Sequence, residues 1–346
     1  MKTLSLVVVS YGSSGVAAGA ITTFRREAVG CGVEAEVVVV DHYGSPEERE
    51  RLAALAPDRR LERENRGYAA GLNTGVEVST GEVLLLANPD LLFHPGSLGP
   101  LLAALDGGWD IVGPQFELGG ALFPAAEPQT PSEELRRTAA RRSERSRRAL
   151  LRRQVRSSLK LWTADSPQPQ DVLSGALLAC RRQAFQTVGP WDEGYFLYFE
   201  EVDWLRRARA RGCRVALVPR SRVEHAWGHA AEPGRHGEIF ELSRRRYYQR
   251  HFPDWQPPVV EPMPAPTLPT LPPVEDLDRL GRPLWLVSPS PHGFPAAGLG
   301  SLDGRELGEA LGRFEAARSH GGPLVVTAYS EADDRLLGSW RFEPSS

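Results

Sequence analysis

Apolar residues in the first ninety positions come in two kinds of run. Residues 4–10 and 35–40 are continuous and rich in β-branched side chains, the pattern of strands buried on both faces of a parallel sheet, and the second run ends at Asp41. The spacing between and after them predicts a helix over 16–29 and a second over 47–56. That second helix begins with glutamates, where the helix dipole favours acid. A small-residue helix follows from Tyr68 to Val78, then a strand over 82–87 that ends at Asn88-Pro89-Asp90. Strand alternating with helix implies an α/β fold around a doubly wound, mostly parallel sheet. Ligands of such sheets lie beyond the carboxyl ends of the strands, where Asp41 and Asp90 both stand.

The pattern changes at 133–160, which carries eleven Lys/Arg against three glutamates. With Leu150, Leu151, Val155, Leu159, Leu161 and Trp162 toward one end, it predicts a basic, partly amphipathic helix. An apolar segment over 172–180 and an aromatic stretch over 191–204 restore a globular pattern. A helix then runs to Arg211, closed by Gly212, and a strand over 214–219 leads to His225. Eight prolines within 256–273 predict an extended, semi-rigid linker. Strands over 284–288, 324–329 and 336–342 surround a helix opened by the capping-box pattern Asp303-Gly304-Arg305-Glu306. The expected division is a main domain over 1–255 with 133–160 as a basic helical insertion, a linker over 256–283, and a small α/β domain over 284–346.

Composition narrows the function classes. Forty-one Lys/Arg against forty-four Asp/Glu leave a net charge of −3, so nucleic acid is not an expected partner. Three widely spaced cysteines give neither a disulfide framework nor a zinc site, and fit a reducing cytoplasm. The apolar start is cut short by polar residues from Ser10 onward and reads as a first strand, not a signal peptide. No apolar run approaches a membrane span. Lys2 and Lys160 are the only lysines, an arginine bias that suits a thermophile or a GC-rich genome equally. Asparagine occurs at 65, 73 and 88 alone, so the side-chain amide is concentrated beside the strand-end aspartates.

Each candidate residue admits a structural and a chemical reading. Asp41 could start an Asx-turn through Tyr43 and Gly44, or accept hydrogen bonds from a nucleobase or ribose. Asp90 could shape a turn, or serve as the one carboxylate that a metal on a diphosphate needs. Glu200, Glu201 and Asp203 could serve a helix dipole, or crowd beside the aromatic residues at 195–199 so that one of them becomes a general base. His225, which precedes Trp227-Gly228-His229, could be structural or a metal ligand.

Taken in order, the motifs resemble family 2 glycosyltransferases of the GT-A fold, most of all the rhamnosyltransferase-like branch that builds cell-surface polysaccharides. The resemblance runs from Val7-Val8-Val9-Ser10-Tyr11 and Val38-Val39-Val40-Asp41 through Asn65-Arg66-Gly67-Tyr68-Ala69, Asn73 and Asn88-Pro89-Asp90. It continues with Ser174-Gly175-Ala176, Trp191-Asp192-Glu193, Tyr198-Phe199-Glu200-Glu201-Val202-Asp203-Trp204, Arg207 and His225, covering roughly residues 3–250.

The resemblance implies inverting transfer of a sugar to an acceptor hydroxyl from a dTDP-, UDP- or GDP-sugar. The acceptor would be a saccharide or a lipid-linked one. Ser10, Tyr11, Asp41, Asn65, Gly67, Tyr68, Asn73, Asn88, Asp90 and Gly175 would bind the nucleotide-sugar. Asp90 and His225 would hold Mg²⁺ or Mn²⁺, and Glu201 would be the base, with Glu200 and Asp203 beside it. His42 stands where the family often has Asn, and Glu201 where it usually has Asp. Residues 133–160 are expected to bring the enzyme to an anionic membrane at its inner face, and homo-oligomerisation is left open. The rival readings are a non-catalytic sugar-nucleotide-binding or scaffolding protein and an assembly subunit.

Overall fold

The computed structural model describes residues 3–226, 236–256, 258, 266–318 and 321–343. The chain opens with β1 (Thr3–Ser10), α1 (Ser14–Gly30), β2 (Glu34–Asp41), α2 (Pro46–Ala54), β3 (Arg59–Glu62), α3 (Tyr68–Val78), β4 (Val83–Ala87) and β5 (Leu91–Phe93). It continues through α4 (Leu98–Asp106), β6 (Ile111–Leu118), β7 (Ala121–Leu122), α5 (Pro131–Ala140), α6 (Glu144–Trp162), β8 (Gln168–Pro169), β9 (Leu177–Arg181) and α7 (Arg182–Val188). Then come α8 (Glu200–Ala210), β10 (Val215–His225), α9 (His236–His251), α10 (Val274–Leu277), β11 (Leu284–Ser288), β12 (Ala297–Ser301), α11 (Gly304–Ala317), β13 (Leu324–Ser330) and β14 (Arg335–Phe342).

Contacts divide the chain into two units, with the boundary inside β6 after Gln115. The first holds Met1–Gln115, Ala126–Pro128 and Ala164–Pro257. Its sheet runs β3-β2-β1-β4-β9-β6, with β3, β2, β1 and β4 parallel and β9 antiparallel to both β4 and β6. The β-branched run predicted at the start is β1, in which every residue from Leu4 to Ser10 is buried, as a strand covered on both faces requires. Register aligns Ser10 with Asp41 and Val8 with Ala87, so the three strands end together and deliver Asp41 and Asn88-Pro89-Asp90 to one edge. Gly75 is demanded by packing: a Cβ there would lie 2.3 Å from Val7 Cγ1, so glycine lets α3 close on β1. The strand expected over 214–219 runs on to His225 and pairs antiparallel with β5, setting His225 opposite Leu91.

The second unit comprises Phe116–Ala125, Gln129–Thr163 and Pro258–Ser346. Its strands lie in the order β14-β13-β11-β12-β7 and pair antiparallel. The capping box that opens α11 forms as read, with Asp303 Oδ1 accepting from Glu306 N and Glu306 Oε2 from Asp303 N. Within the expected linker, Leu271 N donates to Arg341 O and Arg341 N to Pro269 O, so residues 269–271 line β14.

The basic segment corrects two expectations. It is two helices, because Ser143 caps a new start at Glu144 and accepts from Ser146 N. Its apolar residues are core: Leu151 and Val155 pack with Leu284, Leu286, Ala296 and Tyr329 of the same unit. Gln154 Oε1 accepts from Ala296 N, and Arg152 and Arg156 pair with Asp334. The apolar face of α6 is therefore committed to protein. Among the described residues no helix is long and apolar enough to cross a membrane.

Candidate active site

The candidate site is built wholly within the first unit, at the carboxyl ends of its parallel strands. Asp41 is fully buried and uses its two oxygens differently. Oδ1 accepts from Tyr43 N at 2.9 Å and Gly44 N at 3.2 Å, an Asx-turn, while Oδ2 has no hydrogen-bond partner among the described residues. The structural and chemical readings of Asp41 are thus compatible, one oxygen serving each. Tyr11 and Tyr43 stand over this edge as an exposed edge-to-face pair with ring centroids 5.3 Å apart. His42 is buried, and its imidazole is held below its ordinary value chiefly by that burial, although Asp41 and a hydrogen bond with Asn65 oppose it.

Glu48 escaped the sequence reading. Its carboxylate, buried in the first turn of α2, accepts from Ser14 N at 2.8 Å and Ser14 Oγ at 2.7 Å, tying down the loop after β1. Ser10 Oγ lies 2.9 Å from Ser13 Oγ in the same loop. Ser45-Pro46-Glu47-Glu48 has the spacing of a capping box, so in sequence Glu48 looks like a local cap.

The three asparagines separate by role. Asn88 N donates to Ala176 O at 2.8 Å, and Asn88 Nδ2 lies 3.5 Å from His225 Nε2, so Asn88 belongs to the strand-end cluster. Asn65 Oδ1 accepts from Gly67 N at 3.1 Å and shapes the turn before α3. Asn73 does not face the cluster's carboxylates. Its amide oxygen accepts from Trp191 N, and its Nδ2 donates to Trp191 O and Glu193 Oε1. Those bonds make Asn73 a staple for the Trp191–Glu193 loop.

Asp90 and His225 meet. Oδ1 and Nε2 are 3.3 Å apart, both side chains are buried, and Ala226 N donates to Asp90 O. Among the described residues no cluster of three or more His, Cys, Asp or Glu is disposed to hold a metal. Two adjoining ligands nonetheless suit a hard cation that keeps water and takes its remaining oxygens from a diphosphate. Trp227, Gly228 and His229 lie outside the described residues.

The acidic run opens α8, and its three carboxylates differ. Tyr198 and Phe199 precede it with φ of 70° and 67°, left-handed backbone that is strained for aromatic residues and persists only where surroundings fix it. Phe240 of α9 packs on both rings. Glu200 is buried, and that burial, then the charge of Glu201, pushes its carboxyl well above the usual carboxylate range. Glu201 is pushed up to about 6 by burial, against the pull of backbone N–H groups at Glu201 and Val202. Gly175 makes room for it: a Cβ on Gly175 would lie 3.0 Å from Glu201 Cβ.

Asp203 is different again. Burial acts to raise it, but hydrogen bonds from His251 and Arg207, each 2.7 Å, and the charges of Arg207 and Arg250 bring it below its ordinary value. A carboxylate so committed is a poor proton acceptor. Asp203 ties α8 to α9 through His251 and pairs with Arg207 within α8.

Tyr68 ties these parts together. Its N–H donates to Phe196 O at 2.8 Å, joining the start of α3 to the turn before α8. Gly67 (φ 101°) permits that approach, since a Cβ there would lie 2.4 Å from the same oxygen. Burial, then the charges of Glu200, Asp90 and Glu201, hold the Tyr68 phenol well above its ordinary value.

The model for "Glycosyl transferase family 2" matches residues 5–155. An N-acetylglucosaminyl-diphospho-decaprenol L-rhamnosyltransferase of Mycobacterium tuberculosis is 31% identical over 197 residues, 51% of this chain and 58% of that protein. The low-salt glycan biosynthesis hexosyltransferase Agl10 of Haloferax volcanii is 26% identical over 186 residues, covering 52% and 55%. The chain thus spans between half and two thirds of the length of these curated relatives. Among solved structures, the mannosyltransferase PcManGT of Pyrobaculum calidifontis in complex with GDP-Man and Mn²⁺ aligns with a TM-score of 0.48 at 16% identity, covering 74% of this chain and 65% of that one. By the family match over residues 5–155 and the rhamnosyltransferase similarity, this chain is similar to members of glycosyltransferase family 2.

Proposed function

We propose that the protein transfers a sugar, with inversion, from a nucleoside-diphosphate sugar to an acceptor hydroxyl during synthesis of a cell-surface polysaccharide or glycolipid. The observation that carries this reading is the buried Asp90–His225 pair, 3.3 Å apart at the ends of the parallel strands. The match to the family model and the similarity to a rhamnosyltransferase and a hexosyltransferase support it.

In this reading Asp41 Oδ2 receives the nucleoside, and Asp90 and His225 hold Mg²⁺ or Mn²⁺ at the diphosphate. Bound there, the cation would neutralise charge on the departing diphosphate. Glu201 removes the acceptor's hydroxyl proton as that oxygen bonds the anomeric carbon. The bond from that carbon to the diphosphate breaks, and the nucleoside diphosphate leaves with the electron pair. A base poised near 6 is mostly ionised at neutral pH, yet basic enough to take the proton as the new bond forms. The strand-end loops hold donor and acceptor in line, which removes much of the entropic barrier.

The rhamnosyltransferase relative makes a deoxyhexose donor and a diphospho-polyprenol-linked acceptor the first pair to try. A scaffold that only binds nucleotide-sugar has no use for a carboxylate tuned toward 6, so transfer is favoured over that alternative. The test is a panel of dTDP-, UDP- and GDP-sugars with Mg²⁺ or Mn²⁺ and saccharide or lipid-linked acceptors, scored by nucleoside diphosphate release. Release that depends on acceptor and metal supports the reading. Donor binding without release under every combination contradicts it.

A further inference from the structure

The second unit contains a cavity of about 350 Å³ that none of the roles above uses. One wall is the first turn of α6, with Glu144, Arg147 and Arg148, and the second is β14 over 336–339. The third is a proline-rich strap, residues 266–269, just before the segment that lines β14. Its volume is that of a small ligand site.

The edge of β14 is open here, as the ladder shows. Arg341 turns both its N–H and its C=O to the strap, where they meet Pro269 O and Leu271 N. In an antiparallel ladder the residue two positions away turns its groups the same way. That residue is Ser339, whose Oγ lies 2.9 Å from Thr327 Oγ1 on β13. Such a close approach of side chains is typical of a pair that exchanges no backbone bonds. Among the described residues no backbone bond joins Ser339 to the strap as Arg341 is joined, and the cavity lies in that gap. On the strap, Thr267 and Leu268 carry N–H groups, and the prolines on either side carry none.

Charge narrows the occupant. Glu144 accepts from both Arg147 and Arg148, so the cavity wall holds two guanidiniums to one carboxylate. Arg147 is spent on that bond and on His292 O, but Arg148, 64% exposed, bonds through Nε alone. The start of α6 adds the positive end of a helix dipole. Open backbone groups suit a ligand that is itself backbone, and the excess positive charge suits a carboxylate. We propose that this cavity takes a short acidic peptide segment of a partner protein, added to β14 as a strand at Ser339 with a carboxylate on Arg148. Leu337 has no partner in the β13 ladder, a bulge that ends regular pairing and keeps the segment to a few residues. None of these residues is among those assigned to sugar transfer, so the test stands whether or not transfer is found.

The experiment titrates the full chain into fluorescent pentapeptides of alternating glutamate and apolar residues, and into the same peptides with glutamine for glutamate, read by anisotropy. The acidic set should bind at least about tenfold more tightly than the glutamine set. Arg148→Glu should weaken it by about tenfold or more, whereas Arg305→Glu, a charge-matched control 87% exposed on α11, should stay within about twofold. Ser339→Pro removes the outward N–H and should also weaken binding, with thermal melting to confirm folding. Peptides N-methylated at one position at a time probe the same pairing in unaltered protein, and one position should lose about tenfold. Equal binding of the acidic and glutamine sets, or binding of neither, overturns the proposal. So does indifference to Arg148→Glu or to every N-methylation. Free glutamate or inorganic phosphate competing as well as the peptide would mean a small-anion site and would overturn it too.

Discussion

His225 Nε2 lies 3.3 Å from Asp90 Oδ1, with both side chains buried at the end of the parallel strands. The contact is produced by register: β10 pairs with β5 so that His225 sits opposite Leu91, the residue after Asp90. If this pair holds the cation, Asp90→Ala should lower turnover by on the order of 10²–10³-fold at any metal concentration, the several kcal/mol a Lewis acid supplies. His225→Ala should retain activity but need more Mn²⁺ for half-maximal rate. Nucleoside diphosphate release titrated against metal separates the two, and a wild-type enzyme fully active in excess chelator would exclude the assignment.

The pH dependence follows from Glu201. A base must be ionised, so kcat/KM should rise with pH through about 6 and then level. Glu201→Gln should remove that limb together with roughly 10²–10⁴-fold of the rate. An acidic limb of the same midpoint persisting in the residual activity of Glu201→Gln would move the titration to another group.

Glu201 also predicts a stability difference, and its sign is fixed. Its folded-state value of about 6 exceeds the ordinary 4.5, so between these values the native state holds more protons than the unfolded one. Stability from this group is present below 4.5 and is lost as pH rises through 6. Glu201→Gln should therefore be more stable than wild type above pH 6, by on the order of 1–2 kcal/mol, with the gap closing in acid. Denaturant melts at two pH values measure it; a variant less stable than wild type at neutral pH would contradict the burial argument.

Gly67→Ala should be costly in both stability and rate. The new Cβ would meet Phe196 O at 2.4 Å on a backbone with φ of 101°, forcing α3 from the turn that presents Glu200. A loss of about 1–3 kcal/mol is the scale of such strain. Chemical denaturation with wild-type stability in this variant would show that the approach of Gly67 to Phe196 is not needed.

Leu151→Ala tests what the basic helix does. Leu151 is 1% exposed in the core of the second unit, so truncation should destabilise that unit by about 2–5 kcal/mol. Binding to anionic vesicles, if the exposed arginines provide it, should persist in the folded variant and fade with salt. Reduced vesicle binding at unchanged stability would instead mean that Leu151 reaches lipid.

What the sequence revealed tracks how local each determinant is. The placement of Asp41, Asp90 and His225 at strand ends was legible because it depends on local pattern and needs no knowledge of distant partners. The α3 bounds were likewise legible in a small-residue run. The bonds of Asn73 and Asp203 were not legible because their partners lie far along the chain, Trp191 for one and His251 for the other. Glu48 was missed for the converse reason, since a perfectly ordinary local cap pattern concealed its bonds to Ser14. The amphipathic pattern of α6 was correct, but periodicity gives a buried face without saying what covers it.

The claim at the centre of this account is that Glu201 is the base of a sugar transfer and not a carboxylate that holds the site together. Donor affinity and turnover of Glu201→Gln, measured side by side against wild type, test it most directly. Donor affinity should stay within about twofold of wild type while turnover falls by at least about 10²-fold. Wild-type turnover in the variant, or a loss of donor affinity as large as the loss of rate, would contradict it.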